Sequence, residues 1–238
     1  MSVALEVRDL TLAYGVNRVV RGVSFAIEER GAFAILGPNG AGKTSILRAI
    51  SGLMRPADGA IFLQGLSISG LRPHAIVAHG VSHVPEGRKI FPEMSVLDNL
   101  LVGATVVIAK RKRVRELLER NFDLFPILKE RARQPGGSLS GGQQQQLTIA
   151  RGLMADPKIL IVDEPTLGLA PAIIHAMEEM FRRLFDLGLT IVIAEQNAEF
   201  ALKVAKSGIV ISSGQLRFQG EVPALREGDL LRRAYLGG

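Results

Sequence analysis

Two short segments carry residue types at spacings suited to a nucleotide's phosphates. Gly37-Pro38-Asn39-Gly40-Ala41-Gly42-Lys43-Thr44 fits the pattern G-x-x-x-x-G-K-[ST], and Ser45 follows it. Glycines let a backbone curl until successive N–H groups point inward at an anion. A helix starting directly behind them adds the positive end of its dipole. Lys43 brings a full charge to the outer phosphates, and the Thr44 hydroxyl is a ligand type for Mg2+. The second segment runs from Ile159 to Val162 and ends in the adjacent carboxylates Asp163 and Glu164. Asp163 is expected to hold Mg2+, through water, beside the cradle. Glu164 is expected to polarise an attacking water as general base.

A third segment, Leu139-Ser140-Gly141-Gly142-Gln143, precedes the helix face Leu147, Ala150 and Leu153. A Ser and two glycines at a helix start also attract phosphate. The chain already has one phosphate loop, so this second start has a use only on another chain's nucleotide. That use implies a head-to-tail dimer with nucleotide at the seam. An ordinary helix cap is the alternative.

The elements that position these residues follow from apolar periodicity. Phe33–Leu36, Val81–Val84, Ile159–Val162 and Thr190–Ala194 are short aliphatic runs, suited to strands covered on both faces of a parallel sheet. The cradle follows the first run and precedes a helix face of Ile46, Leu47 and Ile50, the context its motif requires. Ile173, Met177, Met180, Phe181 and Leu184 form another helix stripe, stopped by Gly188. Val3-Leu5-Val7 and Leu10-Leu12-Tyr14 alternate as half-buried strands do. Val23–Ile27 and Ala32–Leu36 flank Glu28-Glu29-Arg30-Gly31, which reads as a hairpin turn. Ile209–Ile211 and Leu216–Phe218, joined through Ser212-Ser213-Gly214, predict a late hairpin.

This is an α/β layout. One domain is expected over 1–238, with a sheet core from 1–85 and 155–238. Residues 86–154 have few strand signals and are expected as an inserted helical subdomain.

Composition narrows the class. The chain has 238 residues, 47% hydrophobic, which suits one sizeable packed domain. It has no cysteine, so disulfide frameworks and Cys-based zinc sites are excluded. The first residues lack a basic region followed by an apolar run, so no secretion signal is read. The longest candidate for a membrane span, Leu100–Ala109, is ten residues against the about 20 needed, and is expected as a buried helix. The net charge of +6 suits an anionic membrane face as well as nucleic acid. The most basic run, Lys110-Arg111-Lys112-Arg113, leads into the helix face Val114, Leu117, Leu118 and Phe122. It is expected as a solvated helix start. It is not interleaved with aromatics, so no nucleic-acid partner is expected.

The cradle, the Leu139–Gln143 signature and the Asp163-Glu164 pair, in this order and spacing, resemble the ATP-binding-cassette ATPases over nearly the whole chain. The resemblance implies a P-loop NTPase core of mostly parallel sheet, an N-terminal antiparallel β-subdomain and the helical insert. It implies ATP and Mg2+ as ligands, ATP hydrolysis coupled to transport, and a cassette dimer in which Ser140, Gly141, Gly142 and Gln143 face the partner's γ-phosphate. Tyr14 stands where the family stacks an aromatic on adenine. Thr44, Asp163 and Glu86 fall on the metal side, and Lys43, Glu164 and Gln196 on the catalytic side.

Val84-Pro85-Glu86-Gly87-Arg88, Ile90-Phe91-Pro92, Glu195-Gln196-Asn197-Ala198 and the ending Ala234-Tyr235-Leu236-Gly237-Gly238 are similar to the branched-chain amino acid importers, in particular to one of their two distinct ATPase subunits. The implied partners are a second ATPase subunit, permease subunits and, indirectly, a solute-binding protein, at the cytoplasmic face of the inner membrane. Three positions depart from the broader cassette pattern. Glu86 replaces a Gln, Gln196 replaces the switch His, and Ala170 replaces an Asp. Gln196 cannot exchange a proton near neutral pH as His can, so slow hydrolysis is an open expectation. None of the four histidines, His74, His79, His83 and His175, falls at the switch position. All four read as ordinary surface or core residues. A soluble cassette acting on nucleic acid or ribosomes and a low-activity nucleotide-binding module remain the alternatives.

Overall fold

A computed structural model of the chain describes residues 2–226. The Ala234–Gly238 ending lies outside the described residues. In chain order the first elements are β1 (Val3–Tyr14), β2 (Asn17–Glu28), β3 (Ala32–Leu36), α1 (Lys43–Ile50), β4 (Asp58–Leu63), β5 (Leu66–Ser67), α2 (Pro73–Ala78) and β6 (Val81–Val84). Four helices follow: α3 (Val96–Gly103), α4 (Arg111–Leu124), α5 (Pro126–Glu130) and α6 (Gly141–Leu153). The chain then returns to strands and helices as β7 (Ile159–Asp163), α7 (Pro171–Asp186), β8 (Thr190–Glu195), α8 (Ala198–Val204), β9 (Ser207–Ser212), β10 (Gln215–Glu221) and α9 (Val222–Arg226).

The strands form two sheets, a four-stranded one in the order β2-β1-β4-β5 and a six-stranded one in the order β10-β9-β3-β8-β7-β6. The first is antiparallel. The second is parallel from β9 to β6, with β10 as its antiparallel edge. The fold is therefore the expected α/β cassette architecture. All four aliphatic runs read from the sequence are strands of the parallel sheet.

Burial explains why these runs lack alternation. Strand side chains point to opposite faces, and each face of this sheet meets its own core. Ile159 and Ile161 pack with Leu5, Leu12 and Leu47 on the side of the antiparallel sheet and α1. Leu160 and Val162 pack with Leu147, Phe181 and Leu184 on the side of α6 and α7. β1 and β2, covered on one face, keep the period-two pattern of a half-buried sheet. The α7 stripe is buried from Met177 to Leu184, and Gly188 (φ 80) follows its end.

Three local readings are corrected. Glu28–Gly31 is not a hairpin turn, because β2 pairs with β1 while β3 pairs with β8 and β9. β3 is buried at all five positions and needs cover on both faces, whereas β2 needs it on one. Leu100–Ala109 is not one buried helix. Helix α3 ends at Gly103, where a Cβ would meet the backbone of Arg151, and Val106 and Ile108 are exposed. Val3–Val7 and Leu10–Tyr14 are one strand, kinked where Asp9 takes φ 46 and the register shifts.

The late hairpin is present as β9–β10, turned through Ser213 (φ 51) and Gly214 (φ 74). The basic run opens α4, but Arg113 is not merely solvated. Its guanidinium donates to both carboxylate oxygens of Asp156, each at 2.7 Å.

Candidate functional site

Parallel pairing brings the carboxyl ends of β3, β6, β7 and β8 to one edge, where ligands of open α/β sheets collect. The loop after β3 is Gly37–Gly42, and α1 begins at Lys43. Two glycines there have no substitute. A Cβ on Gly37 would collide with the Ile211 carbonyl, so the loop can leave β3 only without a side chain. Gly42 takes φ 108, and a Cβ on it would lie 2.8 Å from Val20 Cγ2 and 2.9 Å from the Val19 carbonyl. As the N-cap of α1 it supplies no side-chain hydrogen bond, so the first N–H groups of the helix keep their capacity for an acceptor. Pro38, Asn39, Gly40 and Ala41 form the remainder of the curl, closed by the Ala41 N–H donating to the Pro38 carbonyl at 3.2 Å.

Lys43 is 5% exposed and points back along the loop. Its Nζ donates to the carbonyls of Gly37 (2.8 Å) and Pro38 (3.2 Å) and pairs with Glu164 Oε1 at 3.0 Å. Glu164 Oε2 accepts the Gln196 backbone N–H at 3.2 Å. The structure thus brings together Lys43 at the start of α1, Glu164 just past β7 and Gln196 just past β8. Glu164 holds φ 45, a left-handed backbone uncommon for a residue with a side chain. Its N–H donates to the Ala194 carbonyl at 2.9 Å. The Gln196 side chain is exposed.

Asp163, buried at the end of β7, has an Oδ1 without a hydrogen-bond partner. Burial pushes its carboxyl up to about 6, the Glu164 and Glu86 carboxylates add to the rise, and a hydrogen bond from Thr44 and the Lys43 charge oppose it. A buried carboxylate with a spare oxygen, a Thr hydroxyl beside it and a second carboxylate nearby form an all-oxygen donor set of the kind Mg2+ takes. Among the described residues no group of three His, Cys, Asp or Glu could hold a metal. An ion here would draw part of its shell from phosphates and water, the usual habit of Mg2+.

Tyr14, at the end of β1, is 49% exposed. Its hydroxyl lies 3.5 Å from Ser45 Oγ and accepts from Arg48 Nη1 at 3.3 Å, which ties the ring to the first turns of α1. The signature residues make their contacts elsewhere. Ser140 and Gln143 form a capping box at the start of α6, with the Ser140 N–H donating to Gln143 Oε1 at 3.0 Å and the Gln143 N–H to Ser140 Oγ at 3.5 Å. Gly141 lies against the Arg88 guanidinium and Gly142 against Ile173. Arg88 Nη2 donates to the Gly168 carbonyl at 3.0 Å.

Sequence reasoning assigned no role to Glu195, the buried residue that ends β8. Its signals were an apolar run closing on a carboxylate, as at Asp163, and its place at the head of the Glu195–Ala198 segment.

A groove of about 400 Å3 runs beside β6 between the sheet core and the helical stretch. It is lined by Leu53, His83, Phe91, Val102, Val106 and Arg151. His83 Nδ1 meets Ser51 Oγ at 3.0 Å, and burial pushes the ring's pKa down to about 4, so it is neutral. Arg151 Nη1 is buried without a hydrogen-bond partner.

The comparisons with known proteins agree with this geometry. The chain matches the family described as ABC transporter over residues 20–167. It is 37% identical to the high-affinity branched-chain amino acid transport ATP-binding protein BraG of Pseudomonas aeruginosa, over 94% of this chain and 96% of that protein. It is 31% identical to the probable branched-chain amino acid transport ATP-binding protein LivF of Archaeoglobus fulgidus, over 98% of both. A solved ATP-binding cassette of an ABC transporter superposes with a TM-score of 0.87 at 25% identity, covering 100% of each chain. A glycine loop ahead of a helix and paired carboxylates on this fold, with a family match and relatives at such coverage, make the chain a member of the ABC transporter family and an ATPase of that family.

Proposed function

We propose that this chain is the ATP-hydrolysing subunit of a membrane importer whose cargo is branched-chain or related amino acids. The observation that carries the ATPase chemistry is the meeting of Lys43 Nζ with Glu164 Oε1 at 3.0 Å beside the glycine loop. The cargo class rests on the BraG and LivF relatives, which are named for that transport.

In this reading the N–H groups from Gly37 to Ser45 cradle the phosphates of ATP, and Tyr14 stacks on its adenine. Lys43 exchanges its contact with Glu164 for the outer phosphates, because a phosphate oxygen is the more highly charged acceptor. That exchange frees the Glu164 carboxylate to accept a proton from the attacking water. Held by Thr44, Asp163 and Glu86, Mg2+ would neutralise charge on the β- and γ-phosphates. Gln196 stands beside Glu164 as a hydrogen-bonding group for the γ-phosphate or the water. Ser140, Gly141, Gly142 and Gln143 present the start of α6 to the nucleotide of a second cassette. Closure of that dimer is favoured by contacts that exist only with nucleotide bound.

Residues 86–154 act in this proposal as the moving helical subdomain. The groove beside β6 receives a permease subunit, whose apolar side chains cover Leu53, Phe91 and Val106. A solute-binding protein acts through that permease. The chain then sits peripherally on the cytoplasmic face of the membrane. Among the described residues no helix is long and apolar enough to cross it.

The test is Glu164→Gln in the complex assembled from membranes. Phosphate release is expected to fall by about a hundredfold or more with ATP binding retained. Normal turnover would remove Glu164 as the base. Phosphate release with and without leucine, isoleucine or valine, against urea-like solutes, tests the cargo.

A further inference from the structure

Glu195 is a buried ionisable group that the hydrolysis scheme above leaves unused. It ends β8 and is 1% exposed. A carboxylate so far from water persists only where donors surround it. Here Oε1 accepts the Thr166 N–H at 2.9 Å and the Thr166 hydroxyl at 2.7 Å, and Oε2 accepts the Asn197 N–H at 3.1 Å. Burial still pushes its pKa up to about 7, with the Thr166 and Asn197 hydrogen bonds opposing the rise.

The donors come from both flanks of the catalytic pair. Thr166 lies two residues past Glu164, in the turn that follows Pro165. Asn197 follows Gln196 and caps α8, its Oδ1 accepting the Phe200 N–H at 3.1 Å. Glu164 keeps an uncommon left-handed backbone, and such a conformation persists only when its surroundings over-determine it. The Ala194 carbonyl holds one side of Glu164, the Gln196 N–H holds its carboxylate, and Glu195 secures the chain beyond it through Thr166. One buried carboxylate therefore ties the turn after the general base to the loop that carries Gln196.

Resting on the ATPase reading, we propose that Glu195 is a positioning residue for hydrolysis. By bonding Thr166 and Asn197 at once, it sets the distance between Glu164 and Gln196 and so the placement of the attacking water.

The experiment compares Glu195→Ala, Glu195→Gln and Thr166→Val in the full chain within its assembled complex, reading kcat and KM for Mg-ATP beside the thermal midpoint. Glu195→Ala is expected to lower kcat roughly tenfold or more, because small misplacements of reacting groups are costly. KM is expected to stay within about twofold, because the phosphate cradle is untouched. Glu195→Gln keeps an oxygen for Thr166 but sets an amide NH2 against the Asn197 N–H, and is expected to restore kcat only in part. Should Glu195→Ala fail to assemble, Thr166→Val carries the test, with kcat expected about threefold down at constant KM. An unchanged kcat, or a loss confined to KM or to the thermal midpoint, overturns the proposal. Glu164→Gln in the same preparation separates the two ideas. If it is inactive while Glu195→Ala turns over normally, only the positioning role fails. If it turns over normally, the assignment of the base fails first.

Discussion

Helices α1 and α6 both begin at a glycine-rich segment, yet their first turns are finished in opposite ways. The N-cap of α1 is Gly42, left-handed and without a side-chain bond to the helix. The N-cap of α6 is Ser140, locked with Gln143 in a reciprocal capping box. A helix start leaves four N–H groups without intrahelical partners. α1 leaves them without a side-chain cap and sets the Lys43–Glu164 ion pair beside them. α6 satisfies part of the requirement from its own residues. The open start fits the proposed nucleotide end of this chain, and the capped start fits a surface that is stable without a ligand of its own.

Four substitutions test whether the two helix starts differ in this way. Lys43→Ala should cut Mg-ATP affinity by about a hundredfold, since it deletes a charge-assisted contact to phosphate in a buried site. Titration of the purified chain with a fluorescent ATP analogue measures this, and unchanged affinity would remove α1 as the nucleotide end. Gly42→Ala should lower stability by about 1–3 kcal/mol and weaken ATP binding, because a side chain at φ 108 also meets Val20 and Val19. Denaturant unfolding with and without nucleotide separates the two effects.

Ser140→Ala should lower stability by only about 1 kcal/mol, the worth of an N-cap. It should leave ATP affinity of the isolated chain unchanged while slowing phosphate release by the assembled complex. A loss of affinity in the isolated chain would mean that α6 serves this chain's own nucleotide. Tyr14→Ala should weaken ATP binding by about tenfold or less, in keeping with a stacking contact of about 1 kcal/mol. An equal loss for ATP and for inorganic triphosphate would show that the ring supports α1 through Ser45 and Arg48 rather than the adenine.

The phosphate loop was legible because its geometry depends on eight contiguous residues. The Asp163-Glu164 pair was legible because an apolar run that stops on carboxylates has few other uses beside such a loop. The hairpin assigned to Glu28–Gly31 failed for the opposite reason. A turn between two apolar runs looks the same whether the runs pair with each other or leave for different sheets. Leu100–Ala109 failed because apolar content does not report where a helix must stop, and α3 stops at Gly103 against Arg151. Glu195 was named within its segment but given no role, because its bonds to Thr166 join residues far apart along the chain.

Contiguous residues alone determined the curl of the cradle, the start of α1 and the capping box of α6, since backbone dihedrals and hydrogen bonds within a few residues suffice for each, and they marked the aliphatic strands by unbroken apolar runs. Tertiary structure alone decided which strands became neighbours. The pairing of β3 with β8 and of β7 with β8 sets Leu36 opposite Glu195 and Asp163 opposite Ala194. That register, imposed by burial on both faces of the sheet, brings Lys43, Glu164, Gln196 and Glu195 to one edge.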